Sequence, residues 1–256
     1  TPKTIDSLQN LPQFEYMVYV EGNWDVQLKT GGEFYKHFEI NKHVGQTSYD
    51  PSIELHISWD DNVNPYLPVG IFQIVGKHIK MIDEIAGVTP NNTVKSVCAE
   101  ISRKYQGHRS GMFIYGDATA NKQDTKLEKG HNFYTIVMDC LKDFKPTNRV
   151  ATSNPSVVMR GNWINTVFEI GLGGVAITIG ENCQKMISDF VSLKEDSDGT
   201  KLKETAKDPK TGAKFQKYGH FSDLFDYLIC TSMKDDFDLY VSGKKQASTN
   251  WSGGFL

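Results

Sequence analysis

Three strand-like runs follow one another between residues 53 and 85, and they set the strongest limit on the fold. Ile53 to Ser58 alternates apolar and polar side chains, Val69 to Val75 is largely apolar, and Ile79 to Ile85 follows the turn Gly76-Lys77-His78. Alternation with a period of two is typical of a half-buried strand, and short turns join antiparallel neighbours. We therefore predict a three-stranded antiparallel meander.

Helical and strand-like segments alternate after this meander. Thr93 is a plausible cap for a helix that ends near Tyr105, and Met112 to Tyr115 is a short apolar strand. A strand, a helix and a strand in this order favour a parallel crossover. Further segments follow: helices over 133–144, 157–168, 183–191 and 221–229, and strands over 149–151 and 175–179. The order predicts an α/β fold with a mixed sheet flanked by helices, as in ribonuclease H-like and several other mixed folds.

The two ends of the chain differ from its middle. Residues 1–50 hold glycine-punctuated turns with aromatic side chains, which predict an arm or linker that packs on something rather than a core. The first residue is Thr1 and not Met, so we expect a processed chain or a piece of a longer one. Residues 51–241 are predicted to form the folded domain. Residues 242–256 are rich in Gly, Ser and Lys, which is typical of a flexible tail.

Composition excludes several classes of protein. The 256 residues are 39% hydrophobic, enough for one sizeable core, and the net charge of −3 means that any contact with DNA must come from a local basic patch. No run approaches ~18 apolar residues, so no transmembrane helix is expected. The four cysteines have no C-x-x-C pair, so we expect buried thiols rather than a zinc site: Cys98, Cys140, Cys183 and Cys230.

Three aspartates lie at boundaries of the predicted elements. Asp60 comes just past the first strand, Asp117 ends the strand after the crossover, and Asp223 lies near the start of the last helix. Sites in open α/β sheets form beyond the carboxyl ends of the strands. Clustered carboxylates repel one another and are held by hard divalent cations such as Mg²⁺. Asp60, Asp117 and Asp223 are therefore candidate catalytic metal ligands.

Other interpretations of the same residues stay open. Asp60-Asp61-Asn62 is also a turn sequence, Asp117 also fits the cap of a short turn, and Asp223 also fits a first helical turn favoured by the helix dipole. Asp226, one turn after Asp223, is a candidate additional ligand. His220 is a candidate group for positioning a ligand or holding a water.

A basic stretch precedes the last helix. Residues 201–217 hold six lysines and two acidic residues, a net charge of +4, and the turn sequence Asp208-Pro209-Lys210-Thr211-Gly212 lies in their middle. Lysines in such a stretch could make phosphate contacts that are non-specific and sensitive to salt. The alternative is a solvated loop. The candidate DNA-contacting residues are Lys201, Lys203, Lys207, Lys210, Lys214 and Lys217.

Three segments around the aspartates resemble the C-terminal nuclease domain of the large terminase subunit of tailed bacteriophages. Asp60-Asp61-Asn62-Val63-Asn64-Pro65 is similar to that family's Asp-Phe-Asn-Val-x-Pro, with Asp61 in place of an aromatic residue, so Asp61 is a second candidate for the ligand that register assigns to Asp60. Tyr115-Gly116-Asp117-Ala118-Thr119 is similar to Tyr-Gly-Asp-Ala-Ser. His220-Phe221-Ser222-Asp223, with Tyr227, is similar to His-x-Ser-Asp-x-x-x-Tyr.

The resemblance implies a ribonuclease H-like fold and an endonuclease that uses Mg²⁺ or Mn²⁺, with two ions expected. It implies cleavage of concatemeric viral DNA during packaging, with little sequence preference, in the host cytoplasm at the procapsid. The implied partners are double-stranded DNA, the portal protein, the small terminase subunit and an N-terminal ATPase domain that this sequence lacks. The alternatives are a junction resolvase of similar fold, a non-catalytic module that clamps DNA or docks on the portal, and a binding domain with a structural Ca²⁺ site.

Overall fold

The computed structural model describes residues 31–62, 64–122, 130–208 and 212–243. Its strands are β1 (Val44–Gly45), β2 (Leu55–Trp59), β3 (Leu67–Val75), β4 (His78–Gly87), β5 (Met112–Gly116), β6 (Thr147–Asn148), β7 (Ala176–Gly180), β8 (Thr205–Lys207) and β9 (Lys214–Gln216). Its α-helices are α1 (Ile40–His43), α2 (Val94–Lys104), α3 (Phe133–Cys140), α4 (Val157–Ile170), α5 (Gln184–Ser192), α6 (His220–Ser232) and α7 (Lys234–Val241). Short 3₁₀ turns occupy Ala118–Asn121, Lys142–Phe144 and Leu172–Gly174.

Seven strands form one mixed sheet in the order β1-β7-β4-β3-β2-β5-β6. Strands β2, β3 and β4 pair antiparallel, which confirms the predicted meander. Strand β5 pairs parallel to β2 after the α2 crossover, as predicted, and β7 pairs parallel to the far side of β4. Strands β8 and β9 form a separate hairpin in the basic stretch.

Helices cover both faces of the sheet. On one face Leu55 and Ile57 of β2 share a core with α2 and α3. On the other face Phe72 and Tyr115 share a core with α4, α5 and α6. Helix α2 begins as its sequence predicts, because Thr93 and Ser96 form a reciprocal capping box. The predicted α/β class, a mixed sheet flanked by helices, is confirmed.

The described part of the expected arm is not an appendage. Phe34, Tyr35 and Phe38 are at most 3% exposed and belong to the core that contains α4 and α6. Glycines precede these aromatic residues in the sequence, and the local pattern therefore indicated turns. Tyr35 and Phe38 pack edge-on against Phe168, and Tyr35 also against Phe190, which come from distant parts of the chain. Residues 1–30 and 244–256 lie outside the described residues.

Some boundaries differ from those predicted. Strand β6 occupies Thr147–Asn148 and not residues 149–151, and α7 was not predicted. Cys98, Cys183 and Cys230 are buried free thiols, as expected, while Cys140 is half-buried and Cys183 lies just before α5 rather than inside it. Among the described residues, no helix is long and apolar enough to cross a membrane.

Candidate active site

The register of the two central parallel strands brings Asp60 and Asp117 to one edge of the sheet. Trp59, the last residue of β2, pairs with Gly116, the last residue of β5. The residue after each is an aspartate, so both carboxylates leave the sheet at the same level. Gly116 has φ +150°, and a Cβ there would lie 2.4 Å from the Trp59 carbonyl oxygen. Only glycine allows the two backbones to approach so closely.

Asp60 forms an ion pair with His220, the first residue of α6. His220 Nδ1 lies 3.0 Å from Asp60 Oδ2. The pKa of Asp60 is raised to about 6, first by burial and then by the charges of Asp223 and Asp117, against the opposing effect of His220. The three predicted carboxylates therefore lie within electrostatic reach of one another. Asp61, the alternative ligand, is exposed.

Asp117 is held in place by amide donors. Its Oδ1 accepts hydrogen bonds from Asn154 Nδ2 at 2.6 Å and from the Thr119 backbone N–H at 2.7 Å. The second bond caps the 3₁₀ turn Ala118–Asn121, so the turn-capping interpretation of Asp117 is also correct. Tyr134 Oη donates to the Asp117 carbonyl oxygen at 3.0 Å and fixes the backbone at this point.

Asp223 is bound by two cations. Arg160 of α4 and Lys201, which precedes the hairpin, donate to the same oxygen, Oδ1, at 2.7 and 2.8 Å. Although burial favours the neutral acid, Lys201 and Arg160 outweigh it and lower the pKa of Asp223. Ser58 Oγ donates to the Leu224 carbonyl oxygen at 2.6 Å and ties this turn of α6 to β2. Asp223 is thereby placed beside the strand end that carries Asp60.

Asp226 is buried and pairs with the same two cations as Asp223. It is 0% exposed, its Oδ1 accepts from Tyr35 Oη at 2.7 Å, and its Oδ2 lies 2.9 Å from Arg160 and 2.7 Å from Lys201. The network therefore has zero formal charge, because the carboxylates of Asp223 and Asp226 are matched by the cations of Arg160 and Lys201. Asp226 therefore holds a charge-balancing position, and both of its oxygens are engaged by protein groups.

The basic stretch divides into two groups. Lys201 is 6% exposed, which corrects its prediction as a DNA-contacting residue, because its ammonium is used by Asp223 and Asp226. The other described lysines of the stretch are exposed: Lys203, Lys207, Lys214 and Lys217. Lys210 lies outside the described residues.

The donor set fits a divalent cation. His220, Asn154 and the pair Arg160 and Lys201 each bind one oxygen of a different aspartate. In the described part of the chain, the other oxygen of each aspartate accepts no hydrogen bond: Asp60 Oδ1, Asp117 Oδ2 and Asp223 Oδ2. Hard carboxylate oxygens in this number suit Mg²⁺ or Mn²⁺. Within the same described residues, no three His, Cys, Asp or Glu side chains are already arranged around a common metal position.

Arg160, Tyr35 and Asn154 belong to the site but were not predicted. Arg160 stands in the apolar pattern of α4, where a cation usually points to solvent, yet its side chain is only 4% exposed. Tyr35 lies in the segment that was expected to be an arm. Asn154 lies in a loop 37 residues from its partner Asp117. Local patterns carry no signal for such long-range pairings.

Comparison of the sequence with protein-family models and with curated proteins gives no match. Solved structures do match in fold. The large terminase from the thermophilic bacteriophage D6E is 13% identical, with a TM-score of 0.54 over 79% of this chain and 45% of its own length. The nuclease domain of the P22 large terminase is 11% identical, with a TM-score of 0.53 over 80% of this chain and 94% of that domain.

The chain covers different shares of these two proteins. This chain spans less than half of the D6E protein but nearly the whole of the P22 nuclease domain. The chain therefore shares the ribonuclease H-like fold of large terminase nuclease domains.

Proposed function

We propose that this chain is a metal-dependent DNA endonuclease that cuts concatemeric viral DNA during genome packaging. One observation carries the proposal: three aspartates from β2, β5 and α6 share one edge of the sheet, and each keeps one oxygen without a hydrogen bond from the described residues. Asp60, Asp117 and Asp223 would hold Mg²⁺ or Mn²⁺, with two ions expected. When bound, such ions activate a water and stabilise the charge that develops on a phosphodiester.

The residues around the aspartates would prepare the site. His220 holds Asp60 through one oxygen, and Asn154 does the same for Asp117, so each carboxylate is oriented before a metal arrives. Arg160 and Lys201 fix Asp223 and keep it ionised. Partners that orient a ligand typically alter metal affinity or activity 10–100-fold. The exposed lysines of the hairpin would contact phosphates without reading sequence.

The proposal includes partners by analogy with the proteins of similar fold. Double-stranded DNA would be the substrate, and the portal protein, the small terminase subunit and an ATPase domain would be the assembly that directs it. The work would take place at the procapsid in the host cytoplasm. The net charge of −3 suits a nuclease whose DNA is delivered by a motor, because weak intrinsic affinity limits untimely cutting.

Plasmid cleavage tests the activity directly. We expect nicking and linearisation by the full chain in Mn²⁺ and Mg²⁺, none in EDTA, and none by a folded Asp117→Asn variant. An exposed carboxylate away from the site, Asp143→Asn, serves as the matched control and should cleave like the parent. Full activity in Asp117→Asn would overturn the assignment of the site. A preference for branched over linear DNA would favour a junction resolvase.

One observation favours a second candidate, a non-catalytic module that clamps DNA or docks on the portal. Two buried cations already pair with Asp223, which weakens its attraction for a divalent ion. This candidate predicts DNA or portal binding that survives replacement of all three aspartates, with no cleavage in any metal. Calorimetric titration with Mn²⁺ separates the two, since only the nuclease should lose its binding heat in Asp117→Asn. A structural Ca²⁺ site would instead show stabilisation by Ca²⁺ as large as by Mn²⁺, without turnover.

A further inference from the structure

A cavity adjoins the candidate active site. It has a volume of about 400 Å³ and lies between the loop after β2, helix α5 and the basic hairpin. That volume falls within the ~300–1,000 Å³ typical of small-molecule sites. Its wall includes three aromatic side chains, Tyr66, Phe215 and Tyr218, and its rim includes the exposed lysines Lys185 and Lys217.

The cavity and the active site share a wall. The ring of Tyr66 packs edge-on against the ring of His220, with 5.9 Å between centroids, and His220 holds Asp60. On the hairpin side, Asn64 Nδ2 donates to the Lys214 carbonyl oxygen at 3.4 Å. A strand bound at the aspartates would therefore have a neighbouring nucleotide within reach of this cavity.

Exposed lysines cover the aromatic faces. The ammonium of Lys185 lies 4.8 Å from the Tyr66 ring centroid, and that of Lys217 lies 4.8 Å from the Tyr218 ring centroid. Exposed lysines can leave such positions at little cost, because a single cation–π contact at the surface is weak. A planar ligand could take their place over the rings while the ammonium groups turn to flanking phosphates.

The acidic groups of the cavity are already satisfied by backbone donors. Glu84 accepts from the N–H groups of Lys185 and Met186, at 2.8 and 3.0 Å. Asp189 accepts from the N–H groups of Phe221 and Ser222, at 2.9 and 3.0 Å. These carboxylates are hydrogen-bonded to the starts of α5 and α6. The features of the cavity that suit a planar, negatively charged ligand are its aromatic rings and its lysines.

We propose that this cavity binds an unpaired nucleobase of the DNA strand that enters the candidate active site, a proposal that rests on the proposed function. Aromatic rings bind bases by stacking without regard to sequence, and every base offers a face. A base inside a duplex exposes only its edges, so the ligand is a splayed or single-stranded nucleotide. The lysines at the rim fit the phosphates on either side of it.

An abasic strand tests the proposal, because it keeps the phosphates and removes the bases. The full chain would be titrated in EDTA, by fluorescence anisotropy, with a labelled oligothymidylate of about a dozen nucleotides and with an abasic strand of the same length. We expect the oligothymidylate to bind at least about fivefold tighter, the lower end of what stacking of one base contributes. Tyr218→Ala should abolish this ratio, and Tyr218→Phe, which keeps the ring, should preserve it.

Tyr49→Ala is the matched control, because Tyr49 is an exposed tyrosine that packs on Tyr105 and His108 outside the cavity. It should leave the ratio unchanged. Equal affinity of the parent chain for both strands, equal weakening of both strands by Tyr218→Ala, or binding of neither strand would each overturn the proposal. Plasmid cleavage in Mn²⁺ by the same preparation separates failure of this proposal from failure of the proposed function. If the chain cleaves plasmid but shows no preference for the strand with bases, only the base-binding site is ruled out.

Discussion

Asp60 and His220 form an ion pair across 160 positions of sequence, with 3.0 Å between Oδ2 and Nδ1. Burial alone would lower the pKa of His220, but the hydrogen bond and charge of Asp60 outweigh burial and raise it. The pair links the end of β2 to the first residue of α6. It also leaves Asp60 Oδ1 without a hydrogen bond from the described residues, so His220 selects which oxygen faces the site.

Removing this link should weaken metal binding. We expect His220→Ala to reduce Mn²⁺ affinity about 10–100-fold, the usual cost of losing a group that orients a ligand. Calorimetric titration with Mn²⁺ measures the change. His37→Ala, which replaces an exposed histidine whose Nε2 lies 3.8 Å from Glu169, is the control. Unchanged Mn²⁺ affinity in His220→Ala would show that the pair does not orient Asp60.

Arg160 should be essential for stability. Arg160→Met leaves Asp226, which is fully buried, with one cation instead of two, and unpaired buried charges typically cost about 3–5 kcal/mol. Urea unfolding measures the loss. Asp226→Asn in the same chain should recover part of it, because the charge balance is restored. Lys42→Met breaks an exposed pair with Glu39 and should cost less than about 1 kcal/mol. Equal losses of stability in Arg160→Met and Lys42→Met would contradict the charge-balancing role of Arg160.

Gly116 should tolerate no side chain. A Cβ there meets the Trp59 carbonyl oxygen and Tyr134 Oη, each at 2.4 Å, and φ is +150°. Strain and overpacking each cost about 1–3 kcal/mol, so Gly116→Ala should destabilise by about 2–6 kcal/mol. Gly107→Ala separates the two causes, because φ is +91° there and nothing lies within 4 Å of the Cβ. If the midpoint of thermal unfolding shifts equally in both variants, the close approach of Gly116 to Trp59 and Tyr134 adds no cost of its own.

Glu84 should make stability fall as pH rises. Burial raises the pKa of Glu84 to about 7, despite two backbone hydrogen bonds that oppose the shift. The unfolded value is about 4.3, so the folded state holds this proton between the two values and its contribution is lost as pH rises through about 7. Glu84→Gln removes the titration, so its stability relative to the parent should increase between about pH 5 and pH 8. Thermal unfolding across this range checks the sign, with exposed Glu54→Gln as the control; parallel curves would contradict it.

The exposed hairpin lysines should set the salt dependence of DNA binding. Each phosphate contact adds about 0.7–0.9 to the slope of log affinity against log salt. Replacing Lys203, Lys207, Lys214 and Lys217 by Gln should therefore flatten the slope by about 3 units if all four contact DNA. Four exposed lysines elsewhere are the control: Lys36, Lys42, Lys95 and Lys142. If both quadruple variants show the same slope, the hairpin lysines make no phosphate contact.

Sequence was most informative about which residues lie together at the ends of the strands. Asp60 and Asp117 could be predicted because each follows an apolar run, and the parallel register then places them together. Asp223 was found from the start of an amphipathic helix. The residues that neutralise it were not: Arg160 stands in an apolar pattern, and Lys201 looked like the other lysines of its stretch. A buried charge is recognised only from its partners, and those partners lie 63 and 22 positions away.

The core near the beginning of the described chain was missed for a related reason. Glycines beside Phe34 and Tyr35 indicated turns, and the local pattern held no period of helix or strand. Tyr35 is covered by Phe168 and Phe190, and Phe34 packs edge-on against Tyr35. Burial without periodicity arises from tertiary contacts, which a single sequence does not display.

Lys201 lies before the first strand of the hairpin and is anchored in the interior, while the hairpin itself closes through a bond from the Lys217 N–H to the Glu204 carbonyl oxygen at 2.8 Å. A change in the length or charge of the hairpin between Glu204 and Lys217 therefore need not disturb the buried ion pairs of Lys201. Such a boundary lets the proposed DNA-contacting surface diverge quickly while the buried ion pairs of Asp223 and Asp226 stay constant. It also marks Glu204 and Lys217 as the natural splice points for grafting a different hairpin onto this scaffold.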